Sequence, residues 1–231
     1  MLFYDEEAIG FLPGSLLFFP RPRRRYMMAL AVLTQPYPAR VKEQFWFREL
    51  RQAVAVLAEG KSFADLKRMS EEENFFNASS ASRANEIRQV LERRLKAAGP
   101  SFCAFFQQSP LATQKLLALC LLLLTDHTFY RFMDECFREK LFTGDLELYD
   151  RDFLRVFRVI QNEEPRAAKW TDATLKKVRA NYKAYLREAG LLAGEKSPYQ
   201  IQRPLLSREL QDYLQQAGLA AIEKILTGER A

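Results

Sequence analysis

The chain has 231 residues, of which 48% are apolar and 28% are charged, and its formal net charge is +6. This length and apolar fraction fit one compact domain or two small helical ones, and they exclude a disordered or collagen-like chain. The three cysteines, Cys103, Cys120 and Cys136, are odd in number and widely spaced. This usage is typical of reduced, buried thiols in the cytosol and not of a disulfide framework.

No stretch predicts a membrane span. The longest apolar run, Leu116–Leu124, has nine residues, whereas a helix needs about 20 to cross a bilayer, so we interpret it as a buried helix. Near the N-terminus, Phe11–Phe19 follows three carboxylates, and Tyr26–Leu33 is short for a signal core and lacks a clean cleavage site. We therefore predict a cytoplasmic protein without a membrane partner, in which residues 1–44 form an irregular N-terminal arm or an extension.

Residues 45–100 predict an N-terminal helical subdomain with the outline of a helix-turn-helix. Ser62, followed by Asp65, matches a capping box and opens one helix. The serine cluster at 79–82 opens a longer helix that ends at Gly99-Pro100. The connection between these helices is longer than the three or four residues that are commonest in this motif.

Residues 101–231 predict a central and C-terminal helical subdomain. Apolar residues recur at helical spacing, and the segments are bounded by cap residues, glycines and prolines. The predicted helices run from about Pro110 to Leu124, from Thr125-Asp126 to Thr143-Gly144, from a cap at Asp150 to the residues before Pro165, from the Thr171 cap through 172–189, and from Ser207 to Ala217 with a shorter one to Leu226. Residues 191–207 predict a small hairpin or wing. The fold class is therefore mainly α, with many helices in two subdomains.

Patterns that support catalysis are missing from the sequence. The glycines are scattered and form no phosphate-binding loop. Three distant cysteines and one histidine, His127, do not supply the four closely spaced ligands of a zinc site. One acidic group has enough carboxylates to bind a divalent cation; its members are Asp145, Glu147, Asp150 and Asp152. No lysine is spaced from them as in nuclease motifs. We predict no enzyme, no cofactor and no metal.

The positive charge is concentrated in one segment. Residues 166–187 contain seven basic residues and one acidic residue, so this window carries +6, which equals the net charge of the chain. At about 100° per residue, Lys176, Lys183 and Arg187 fall within roughly 20° of one line, and apolar residues fill the opposite face. Such a helix is suited to face phosphates. The predicted DNA-binding residues here are Lys169, Lys176, Lys177, Arg179, Lys183 and Arg187.

A second candidate contact region begins the long helix after the serine cluster. Ser82, Arg83, Asn85 and Arg88 offer donors suited to phosphates or base edges. Glu86 and Glu92 dilute the positive charge of this helix, so its composition fits a recognition helix and an ordinary exposed helix about equally.

Several segments, in the same order along the chain, resemble the BrxA family. They lie between about residues 45 and 218, and as an ordered set they are more specific than any one alone. They are SFADL, EENFF and RRL within Leu50–Leu95, FREKLFTGDL at Phe137–Leu146, DFL at Asp152–Leu154, TDATLKK at Thr171–Lys177 and LREAGLL at Leu186–Leu192.

BrxA is the small helical component of bacteriophage exclusion (BREX) defence systems. The resemblance implies a cytoplasmic, all-helical, non-enzymatic protein that binds double-stranded DNA and works beside a methyltransferase, an ATPase and other BREX components. The resemblance supplies no compact signature of DNA-contacting residues, so the contacts named above rest on helix phase. Similarity of the family to the NusB antitermination fold leaves structured RNA as an alternative ligand. A scaffold that docks an acidic protein partner on the same basic helix is the other alternative.

Overall fold

In the computed structural model, residues 32–229 are described, so the predictions for residues 1–31 of the N-terminal arm lie outside the described part. The fold is mainly α with a small antiparallel sheet, as predicted. Its helices are α1 (Phe47–Ala58), α2 (Phe63–Glu72), α3 (Ala81–Ala98), α4 (Phe102–Gln108), α5 (Leu111–Thr125), α6 (His127–Phe132), α7 (Arg138–Thr143), α8 (Asp150–Glu163), α9 (Asp172–Glu188), α10 (Arg208–Gln216) and α11 (Ala220–Thr227).

Several helices begin where polar side chains cap free backbone N–H groups. Ser62 and Asp65 exchange side-chain-to-backbone hydrogen bonds, which confirms the capping box of α2. Ser80 caps α3 and Thr171 caps α9 in the same way, each accepting a hydrogen bond from the backbone N–H three residues later. A short side-chain oxygen satisfies donors that the first helical turn leaves unpaired, so these starts are readable in the sequence.

Two local predictions differ from the structure. Tyr149, and not Asp150, is the cap residue of α8, because the carboxylate of Asp152 accepts the Tyr149 N–H at 2.9 Å. The carboxylate of Asp150 points instead toward α9, where it meets Lys183. The helix predicted from Asp126 to Gly144 also contains a π-helical segment, Met133–Phe137, between α6 and α7.

Helix α5 lies at the centre of the core. All its residues from Leu116 to Thr125 are buried, which confirms the buried-helix interpretation of the leucine run. Among residues 32–229, no single helix is long and apolar enough to span a bilayer. Helix α5 reaches that length and composition only when it is joined to the following helical segment, His127–Thr143, across a bend of 110°.

The predicted hairpin is present after α9. Strand β2 (Leu192–Ala193) pairs antiparallel with β3 (Tyr199–Ile201), with Leu192 opposite Ile201. Strand β1 (Glu147–Leu148), from the turn before α8, pairs with the other edge of β3, which gives the order β1-β3-β2. The sheet therefore brings the start of α8 and the hairpin together beside α9.

Residues 35–45, here called the strap, form no helix or strand and are held by side chains from several helices. Tyr185 of α9 donates its hydroxyl to the Glu43 carbonyl at 2.7 Å, and Asn181 donates to the Arg40 carbonyl at 2.8 Å. Arg94 of α3 donates to the carbonyls of residues 44 and 45, and Thr128 of α6 donates to that of residue 38. These bonds join the strap to both halves of the chain.

One hydrophobic core extends through residues on both sides of position 100. Helix α3, from the predicted N-terminal subdomain, packs against α5 from the predicted C-terminal one. The division into 45–100 and 101–231 stays a prediction about domain organisation.

Candidate nucleic-acid interface

Helix α9 separates an apolar face from a basic face, as its sequence phase predicts. Thr171 caps the helix by accepting a hydrogen bond from the Thr174 N–H at 3.2 Å. Its inner face packs into the core; the residues on that face are Leu175, Val178, Tyr182, Tyr185 and Leu186. Burial of this face fixes the rotation of the helix, so the remaining positions face away from the core.

Three lysines near the start of α9 are available to an anionic partner. Lys176 and Lys177 are exposed, and Lys169, which ends the 3-10 turn before the helix, is exposed too. No carboxylate within residues 32–229 forms an ion pair with any of the three. The small side chains of Ala173 and Ala180 are exposed beside these lysines, so the helix backbone is accessible to close approach.

Two other predicted cations on α9 are already paired. The Lys183 Nζ lies 3.0 Å from Asp150 Oδ1, and the Arg179 Nε lies 3.6 Å from the same oxygen. Their side chains are only 15% and 19% exposed, respectively. Partial burial acts to raise the pKa of Asp150, but the hydrogen bond from Lys183 and the charges of both cations outweigh it and hold that pKa below its ordinary value.

The hairpin contributes residues that helix phase could not predict. The Tyr199 hydroxyl accepts from Lys183 Nζ at 2.8 Å, and its oxygen lies 3.3 Å from Asp150 Oδ1. The Arg187 guanidinium donates to the Gly194 carbonyl at 2.7 Å and lies 5.3 Å from the centre of the Tyr199 ring. Arg187 stays exposed and has no carboxylate partner in the described part of the chain. The hairpin therefore fixes the positions of Lys183 and Arg187.

In the second predicted region, at the start of α3, both arginines already bond to side chains of the same helix. Ser82 is exposed, whereas Arg83 is half-buried and pairs with Glu86 at 2.7 Å. Arg88 is buried and donates to Glu92 at 2.5 Å and to the Asn85 side-chain oxygen at 2.8 Å. Arg88 also lines an open groove of about 750 Å³ between α2 and α3.

A buried polar cluster connects the strap to α3 and was not predicted from the sequence. Glu43 accepts from Arg40 at 2.8 Å and from Arg93 at 2.5 Å, and its carboxylate lies 3.5 Å from Arg94. Burial lowers the pKa of Arg94 to about 10. Local spacing does not identify these pairs, because 50 residues separate Glu43 from Arg93.

The residues considered for catalysis have other contacts. The His127 Nδ1 lies 2.6 Å from the Gln35 carbonyl oxygen of the strap. Asp145 and Asp152 both pair with Lys140, and Glu147 accepts from the Tyr149 hydroxyl. Over residues 32–229, no group of three or more His, Cys, Asp or Glu side chains could hold a metal ion.

The cysteines are free thiols in the described residues. Cys120 and Cys136 are buried and Cys103 is half-buried. Burial raises the pKa of Cys120 to about 12 and that of Cys136 to about 11, so these two thiols are protonated and weakly nucleophilic at neutral pH.

Comparison with known proteins gives the family of the chain. Residues 35–218 match the BrxA family, and the matched region begins in the strap and includes α9 and the hairpin. A BREX protein BrxA from Bacillus cereus is 30% identical over 199 residues, which is 86% of this chain and 100% of that protein. The fold is also similar to the crystal structure of an uncharacterized protein from Magnetospirillum magneticum, with a TM-score of 0.71 and 16% identity over 84% of this chain and 100% of that one. The chain belongs to the BrxA family.

Proposed function

We propose that this chain is a non-enzymatic, double-stranded DNA-binding accessory subunit of a BREX anti-phage defence system. The observation that carries the proposal is the set of exposed cations on α9 and in the turn before it that have no carboxylate partner within residues 32–229. This set comprises Lys169, Lys176, Lys177 and Arg187. The name of the Bacillus cereus relative, BREX protein BrxA, supports the assignment to a defence system.

Phosphates are the part of DNA that this helix is suited to contact. Neighbouring lysines on ordinary solvated helices are usually balanced by carboxylates, which removes the repulsion between like charges. Here Lys176 and Lys177 have no carboxylate ion-pair partner within residues 32–229, and the alanines beside them leave room for a backbone. Phosphate contacts carry little sequence information, so we expect weak sequence preference and a steep dependence on salt.

Helix α3 supplies a second, smaller contact region in this proposal. The start of α2 to the end of α3 has the helix-turn-helix outline, with Ser82 exposed at the first turn of the second helix. Arg83 and Asn85 are half-buried, so they contact DNA only at the edge of the interface. Other BREX components, such as the methyltransferase and the ATPase, are the expected protein partners, and we expect them to meet in the cytoplasm.

A salt titration of duplex binding tests the proposal. We expect Lys176→Glu with Lys177→Glu to weaken binding to a labelled duplex at least tenfold, and to reduce the slope of log K against log salt by about 2. The matched control is Arg51→Glu with Lys61→Glu, which changes the net charge equally at two exposed residues away from α9. Affinity that does not change with salt, or that falls equally in both variants, contradicts the proposal.

Two further measurements separate the alternatives. Competition between duplex RNA and duplex DNA of equal length shows which nucleic acid the helix prefers. Co-purification from cells with and without nuclease treatment identifies a scaffold, because protein partners docked on α9 would stay bound after the nucleic acid is digested. Preference for RNA, or partners that survive digestion together with no duplex affinity, would replace the DNA-binding assignment.

A further inference from the structure

Two cations and one hydroxyl group lie around a single carboxylate oxygen where α8, α9 and the hairpin meet; Lys183 and Tyr199 donate hydrogen bonds to it, and Arg179 forms a longer ion pair. Asp150 Oδ1 lies 3.0 Å from the Lys183 Nζ, 3.6 Å from the Arg179 Nε and 3.3 Å from the Tyr199 hydroxyl oxygen. Two cations and a hydroxyl around one oxygen also form the set of donors that binds a phosphate oxygen.

The Asp150 side chain does not cap its own helix, α8. The cap of α8 is formed by Tyr149 and Asp152, so the Asp150 side chain makes no capping bond. Its side chain is 36% exposed, whereas the side chains of Lys183 and Arg179 are less than 20% exposed. The carboxylate therefore covers the two cations on the side that solvent reaches.

We propose that Arg179, Lys183 and Tyr199 form a phosphate-binding site that Asp150 occupies as a built-in competitor. The proposal rests on the proposed DNA-binding function for its ligand, a phosphate of the duplex backbone. In the free protein the Asp150 carboxylate balances Lys183 and Arg179. A backbone phosphate at this site competes with that carboxylate for both cations, so Asp150 lowers the affinity of α9 for DNA in general.

The competitor divides the cations of α9 into two groups. Lys176 and Lys177 are available to any polyanion, whereas Lys183 and Arg179 become available only when a phosphate displaces Asp150. The Tyr199 ring lies 4.7 Å from the Lys183 Nζ, so the cation stays in place when the carboxylate leaves. Binding that engages all four is therefore favoured by a ligand that places a phosphate next to the hairpin.

The first experiment measures duplex binding by three variants and the unchanged protein. Asp150→Asn is expected to bind about fivefold more tightly than the unchanged protein near physiological salt, since the carboxylate that pairs with Lys183 and Arg179 is removed. Its salt dependence is expected to steepen by between about 1 and 2 units of slope, as two cations become free. Asp150→Glu keeps the carboxylate and is expected to stay close to the unchanged protein.

Asp172→Asn is the matched control. Asp172 is the first residue of α9 and exposed, and it forms no ion pair with another residue of the described chain. Its replacement changes the net charge by the same amount without releasing Lys183 or Arg179. Equal gains in Asp150→Asn and Asp172→Asn overturn the inference, and so does weaker binding by a well-folded Asp150→Asn protein.

The second experiment uses inorganic phosphate and needs no DNA. Millimolar phosphate, compared with chloride at equal ionic strength, is expected to raise the melting temperature of Asp150→Asn more than those of Asp172→Asn and the unchanged protein. If no protein binds duplex but this shift is found, the DNA-binding function fails and the phosphate site stands. If the unchanged protein binds duplex and no shift is found, the function stands and the inference is overturned.

Discussion

The Tyr182 hydroxyl oxygen lies 3.3 Å from each carboxylate oxygen of Asp126, and both residues are buried. Asp126 also caps α6 by accepting the Phe129 N–H at 3.0 Å. Burial raises the pKa of Asp126 to about 6, although the backbone hydrogen bond from Phe129 and the charge of Arg40 act in the opposite direction. The hydrogen bond from Tyr182 also acts to lower this pKa, so it is burial that makes this core carboxyl group sensitive to mildly acidic pH.

We predict that Asp126→Asn removes one component of the pH dependence of stability. The carboxyl is protonated in the folded state below about pH 6 and in the unfolded state only below about pH 4, so raising the pH between these values lowers the free energy of unfolding by up to about 3 kcal/mol. Asparagine keeps the cap acceptor but does not titrate. Urea unfolding at intervals from pH 4 to 7 checks this. An unchanged pH profile in Asp126→Asn would contradict it.

The Glu43 cluster predicts a large loss of stability. In Glu43→Gln, Arg40, Arg93 and Arg94 lose the carboxylate that all three face, and Arg94 remains buried with a positive charge. Removing one member of a buried ion pair costs about 3 to 5 kcal/mol. Glu73→Gln, at an exposed residue with no ion pair elsewhere in residues 32–229, is expected to stay within about 0.5 kcal/mol. Denaturant unfolding of both variants checks the difference.

On α3, stability and DNA binding are expected to separate by residue. Arg88→Ala removes a buried guanidinium that Glu92 and Asn85 hold, so it is expected to lower the free energy of unfolding by between about 1 and 3 kcal/mol. Ser82 is exposed, so Ser82→Ala is expected to change the free energy of unfolding by no more than about 0.5 kcal/mol while it weakens duplex binding. Thermal melting and duplex titration of both variants check this. A stable Arg88→Ala protein would show that the contact contributes little.

Two glycines with similar backbone angles predict different costs. Gly228 has a φ of +80°, and a Cβ there would lie 2.6 Å from the Leu141 Cβ of α7. Gly144 has a φ of +78°, but a Cβ there would meet open space. Gly144→Ala is expected to cost about 1 kcal/mol from backbone strain alone, and Gly228→Ala at least about 2 kcal/mol because α11 must also shift. Equal melting temperatures for the two variants would contradict this.

Helix starts could be predicted because their cause is local. Ser62, Ser80 and Thr171 each cap a helix with a side chain that bonds three residues further on. Asp150 shows the limit of such reasoning, since its residue type and position fit a cap equally well. Its carboxylate pairs instead with Arg179 and Lys183, about 30 residues later, and only the tertiary structure brings these cations close to it.

The basic face of α9 was predictable from phase, but the availability of its charges was not. Spacing places Lys176, Lys183 and Arg187 on one side of the helix, and burial of Tyr182 and Leu186 agrees with that rotation. The hairpin and the start of α8 decide which of these cations is free, because Tyr199 and Asp150 bond to Lys183. A helical wheel contains no information about a neighbouring strand.

The conformation of the strap could not be predicted from the sequence pattern for a similar reason. Its carbonyls bond to side chains far along the chain, and its charged pairs connect Glu43 to α3. The pattern of residues 1–44 predicted only an irregular arm, since no periodicity marks a segment whose order comes from distant donors.

The anchors of the strap also set an order of events during synthesis. The Glu43 carbonyl accepts its hydrogen bond from Tyr185, which is 142 residues later, and the Arg40 carbonyl accepts from Asn181, 141 residues later. At a ribosomal rate of about 5 to 20 residues per second, residues 40 and 43 wait roughly 7 to 28 seconds for these partners to be made. The strap therefore leaves the ribosome well before the α9 side chains that anchor it, and it can reach its final position only after α9 has been made.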